Sequence, residues 1–76
     1  MDINDLKKQQ EFVNQANILD RNGQYREALE AYDRALGIVP DDADVIFEKG
    51  QTLTKLGQDP EAKTCFQTAT RMYCGL

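Results

Sequence analysis

Asp41, Asp42 and Asp44 are the most tightly grouped potential metal ligands in this chain. Carboxylates so close together suit calcium, but an EF-hand loop also needs a glycine for its sharp turn and a distal glutamate to close the site. Both are missing here, and acids before an apolar helical pattern are better explained as helix starts. Glu27 and Glu30 read as one solvated helix face. There is no histidine, so the commonest general base and metal ligand is absent. Nor is there a Cys-x-x-Cys, a glycine-rich phosphate loop or a nucleophile elbow. Cys65 and Cys74 are nine positions apart on one predicted helix, about 13 Å along its axis and beyond disulfide reach. They read as free thiols of a reducing compartment, although Cys74, near a fraying end, could pair between chains in air. The residue chemistry therefore predicts no enzyme, no cofactor and no metal.

What remains is the scaffold. With 76 residues and 41% hydrophobic content, the chain predicts one small domain with a thin core. The net charge of −4 is uneven. Residues 9–42 carry seven acids against three bases, residues 43–76 four of each, and residues 1–8 two of each. An acidic first half without a basic stripe argues against nucleic acid and anionic membranes. No apolar run approaches the length of a spanning helix, and no signal-peptide core is present. A cytoplasmic protein is expected.

Apolar spacing predicts four helices. The first runs from about Asn4, as its cap, to Arg21, with Leu6, Phe12, Val13, Ala16 and Leu19 on one face. Asn22-Gly23 ends it, Gly23 supplying a left-handed residue. The second spans about Tyr25 to Ile38 and stops before Pro40. The third opens at Asp41 or Asp42 and closes at Gly57. The fourth is expected to use Asp59 as its cap and Pro60 in its first turn, to turn Ala62, Phe66, Ala69 and Met72 inward, and to stop near Tyr73. No segment alternates with the period of a strand. Short links make successive helices antiparallel neighbours.

A shift of 34 residues places Phe12, Ala16, Leu19, Gly23, Ala28, Tyr32 and Ala35 on Ile46, Gly50, Leu53, Gly57, Ala62, Phe66 and Ala69. A period of this length marks stacked helical hairpins. With Gly23-Gln24-Tyr25 and Pro40 added, the pattern resembles the tetratricopeptide repeat (TPR) family. The resemblance covers residues 9–42 and 43–76, with residues 1–8 extending the first helix. It implies an all-α fold of two antiparallel helix-turn-helix hairpins, stacked as a short right-handed superhelix. The chain departs from the family at Gln15 and Lys49, where leucine is usual and where these side chains must snorkel or hydrogen-bond, and at Cys74, where proline is usual. Leu29 and Leu36 become Lys63 and Thr70 in the second copy, as in a terminal repeat with a solvated outer face.

The resemblance also implies a function, protein or peptide binding along a concave groove lined by the first helix of each hairpin. Carried over residue by residue, that groove contains Gln10, Val13, Asn17, Asp20 and Arg21, then Asp44, Phe47, Gln51, Thr54 and Lys55. Their offsets fall on one helical face. Val13 and Phe47 are expected as an exposed apolar pair, and Arg21 and Lys55 as cations able to hold a carboxylate; helix-end cations are the alternative reading of the latter. The family's clamp for chaperone C-termini is not expected. Only Asn17 matches it, with Val13 and Glu48 standing where lysine and asparagine are needed. Two repeats fall short of the usual minimum of about three, so self-association, including a domain-swapped dimer, is the alternative function.

Overall fold

Gly23 and Gly57 adopt φ of 82° and 79°, a left-handed conformation in which glycine avoids the Cβ penalty. Each glycine is followed by a glutamine whose amide returns to a leucine carbonyl: Gln24 N–H to Leu19 and Gln58 N–H to Leu53, both at 2.9 Å. The same turn is thus built twice. In this computed structural model, which describes residues 2–75, these turns join α1 (Ile3–Arg21) to α2 (Tyr25–Ile38) and α3 (Ala43–Lys55) to α4 (Asp59–Cys74). α1 packs along α2, α3 along α4, and α2 against α3. The result is two stacked helical hairpins, as the sequence predicts.

Two caps differ from expectation. Asp2, not Asn4, caps α1, its Oδ1 accepting the Asn4 amide at 3.4 Å. Asp59 is already helical. The glycine turn delivers Gln58 to the cap position, which has no side-chain bond, so Asp59 and Glu61 serve the positive end of the α4 dipole instead. Asp42 caps α3 through Val45 N–H at 3.3 Å. Val39 leaves the helical region ahead of Pro40, at φ −125° and ψ 86°, since the proline ring disfavours helical angles in the residue before it. α4 runs one residue past Tyr73 and ends on left-handed Gly75.

The buried core joins Val13 and Ala16 of α1, Ala28, Ala31, Tyr32 and Ala35 of α2, and Val45 of α3, with Phe12, Leu19 and Leu36 packed against it. Alanines dominate because the helix axes cross closely. In the second hairpin the equivalent of Ala16 is Gly50, itself buried. Lys49, placed where leucine is usual, reaches Asp33 of α2 at 2.6 Å. Met72, expected to face inward, is exposed, because no further element packs on that end of α4 among the described residues. Cys65 and Cys74 are free thiols. Burial pushes the half-buried Cys65 thiol up, which favours its protonated form.

Candidate functional site

α1 and α3 are the first helices of their hairpins and lie side by side. Polar side chains join α1 to both the start and the last turns of α3. Gln9 Nε2 donates to Asp42 Oδ2 at 2.8 Å. Asp20 accepts from Thr52 Oγ1 at 2.8 Å through one oxygen and from Lys55 Nζ at 2.7 Å through the other. Between these ties lies a hollow of about 260 Å³. Val13 and Val45 supply its apolar surface. Gln9, Gln10 and Asn17 border it from α1, and Asp42, Asp44 and Glu48 from the α3 side.

Most of these polar groups are satisfied within the chain. Tyr32 donates to Asn17 Oδ1 at 2.8 Å. Burial first, then the charges of Glu48 and Asp20, hold the Tyr32 hydroxyl up at about 12, so it remains a donor. Asp44 accepts from the Tyr73 hydroxyl. Glu48 is the exception, since its Oε2 is enclosed and has no hydrogen-bond partner. Burial, followed by Asp44, Asp42 and Asp20, pushes its carboxyl above the usual range.

A carboxyl raised on folding favours the folded state in its protonated form. Its contribution is complete below the unfolded value of about 4.3 and is lost as pH rises through the folded value. Glu48→Gln should therefore stabilise the protein at neutral pH and raise its Tm. The gain should shrink at about pH 3.5, where Glu48 is itself neutral. Thermal melts at the two pH values check this, and identical melts at pH 7 would refute it.

The ten residues expected to share one groove divide in the structure. Gln10, Asn17 and Asp44 border the hollow, and Gln51 is exposed one turn from Glu48 on α3. Val13 is not an exposed anchor. It is only 9% accessible, whereas Phe47, its equivalent, is 40% accessible and meets Phe66 at a tilt, with ring centroids 5.3 Å apart. The second hairpin covers Val13, whereas among the described residues no further hairpin stacks over Phe47. Thr54 is displaced for the same reason. It lines a separate hollow of about 640 Å³ on the α3/α4 side, with Ala62, Phe66 and Thr70 and the charged Lys63 and Arg71. Asp20, the equivalent of Thr54, is engaged by the second hairpin. Lys55 pairs with Asp20 and lies 5.6 Å from the Tyr25 ring centre, so it does not wait for a partner's carboxylate. Arg21 is exposed in the last turn of α1.

Gln9, Asp42 and Glu48 were not among the expected site residues. The like-charged pair Asp44 and Glu48, one helical turn apart, was the signal available, since such a pair is unfavourable on a helix without a counter-charge.

Two stacked hairpins of one repeated design, with a polar hollow between their leading helices, define an all-α repeat protein. A sequence model described as tetratricopeptide repeat matches residues 21–73, well over half of the chain. The protein belongs to the tetratricopeptide repeat family. A comparison with curated proteins finds no match. The family is a non-catalytic scaffold fold whose repeats generally mediate protein–protein interaction. No helix among the described residues is long and apolar enough to cross a membrane.

Proposed function

We propose that this protein is a scaffold module that binds a peptide or helix of another protein along the α1/α3 face. The observation carrying this reading is the hollow between Gln9–Asp42 and Asp20–Thr52, bordered by polar side chains and continuous in sequence position with exposed Gln51. Such a surface offers an elongated partner both apolar contact and hydrogen bonds. Two free thiols suit a reducing, cytoplasmic setting.

The test is selection of binders from a displayed library of random peptides, followed by amide chemical-shift mapping on the protein. Selected peptides should perturb Gln10, Asn17, Asp44, Glu48 and Gln51. Gln51→Trp, at an exposed position, should weaken them about tenfold with little change in melting temperature. Peptides that instead perturb Lys63, Phe66 and Thr70 would place binding on the α3/α4 side and overturn the reading.

A further inference from the structure

The hollow on the α3/α4 side has an occupied twin inside the molecule. A shift of 34 residues carries its Thr54, Asp59, Ala62, Phe66 and Gln67 onto Asp20, Tyr25, Ala28, Tyr32 and Asp33. These belong to the face of the first hairpin on which α3 packs. There Lys49 holds Asp33 at 2.6 Å and Thr52 bonds Asp20 at 2.8 Å. Lys55 pairs with Asp20 and lies 5.6 Å from the Tyr25 ring centre. The open hollow therefore has the form of a seat for a helix built like α3. The repeat supplies such a helix in α1, and the matching surface of α1 is open too. Ile18, the equivalent of Thr52, is 55% accessible, whereas Thr52 is 1% accessible.

The residues exchanged between the repeats change together on these two surfaces. Asp59 replaces Tyr25 where Arg21 replaces Lys55, so a cation beside a ring becomes a guanidinium with a carboxylate. Gln67 replaces Asp33 where Gln15 replaces Lys49, so an ion pair becomes two amides able to bond each other. Thr54 replaces Asp20 where Ile18 replaces Thr52, so a hydrogen bond becomes an apolar contact. Lys63 replaces Leu29 on the hollow, and Glu11 replaces Val45 on α1. An apolar helix like α3 is thereby disfavoured on the open seat and α1 is favoured. The overall charges agree, since Lys63 and Arg71 border the hollow and residues 9–42 carry seven acids against three bases.

We infer that the α3/α4 face receives α1 of a second copy of this chain, so that copies stack head to tail as the two hairpins stack within one copy. Each copy keeps both of its hairpins, unlike in a domain swap. The contact leaves the groove side of α1 free, just as Gln51 stays exposed on α3 while α3 packs on the first hairpin. The inference therefore goes beyond the groove reading and does not rest on it.

The experiment follows the 76-residue chain by light scattering across a dilution series, as the parent, Ile18→Lys and Lys63→Glu, with thermal melts of each. The average mass of the parent should climb with concentration past twice that of one chain, since a head-to-tail contact leaves a free face at each end. Each variant spoils one of the two surfaces at an exposed position. Each should melt like the parent and associate at least about tenfold more weakly. Mixed in equal parts where each alone is monomeric, the two should form a pair of twice the single-chain mass. One supplies an intact α3/α4 face and the other an intact α1. A parent that is monomeric at about 1 mM, a mass that stops at the dimer, variants that associate as tightly as the parent, or a mixture that stays monomeric overturns the inference. So do displayed peptides that seat on Lys63, Phe66 and Thr70 while the chain itself stays monomeric, since the face then serves another protein's helix. Binding mapped to the α1/α3 amides is read separately, so the groove reading can stand when this inference falls.

Discussion

Tyr32→Ala should leave the chain largely unfolded at 25 °C. Tyr32 is 2% accessible and belongs to the core that joins both hairpins. Removing a buried aromatic ring costs about 3–5 kcal/mol, and a single core in a domain this small rarely supplies more than about 3–5 kcal/mol in total. Tyr32→Phe separates packing from hydrogen bonding. It keeps the ring, loses the bond to Asn17, and should cost about 1 kcal/mol. Far-ultraviolet circular dichroism with thermal melts distinguishes the cases. An alanine variant melting within a few degrees of the parent would mean that the hairpins do not depend on this contact.

Gly50→Val should also destabilise the fold, for the opposite reason. A Cβ placed on Gly50 would lie 2.7 Å from Phe66 Cε1, 3.0 Å from its Cδ1 and 3.1 Å from Cys65 Cβ. The larger valine side chain must push α4 away, at about 1–3 kcal/mol for overpacking. The repeat suggests where the remedy lies. Ala16 and Tyr32 hold the equivalent places in the first hairpin, alanine and tyrosine where here there are glycine and phenylalanine. The ring atoms of Phe66 are the first that an added side chain meets. Phe66→Leu, which trims them, should accordingly restore part of the stability lost in Gly50→Val, with a coupling of about 1 kcal/mol in a double-mutant cycle. Strictly additive denaturant midpoints would remove the explanation.

The same comparison of repeats shows what the sequence could carry. The turns at Gly23 and Gly57 were legible because backbone conformation there is local and chemical. The small residues Ala16, Ala28, Gly50 and Ala62 were legible because each serves its own hairpin. The site was less so. Val13 and Phe47 share a repeat position, as do Asp20 and Thr54 and also Arg21 and Lys55, yet their surroundings differ. Periodicity reports a residue's place within its own hairpin. It does not report whether another hairpin stacks above it, and that contact decides exposure and ion pairing. The caps failed on a finer scale. Asp2 precedes Asn4 by two residues, and Asp59 follows the actual cap by one. Choosing among neighbouring polar residues depends on the angle at which the chain enters the helix.

The bonds Gln9–Asp42 and Asp20–Thr52 sit eleven positions apart on α1 and ten apart on α3, which at 1.5 Å per residue separates them by about 15 Å. A single fastening between two rods leaves them free to scissor about it. Two fastenings about three turns apart remove that rotation and set the gap between them. The span bounded by Asp42 and Thr52 is therefore a gauge of fixed width, cut before any guest arrives. On the proposed function, a segment entering it meets walls already in place, and little of the binding free energy is consumed in ordering them.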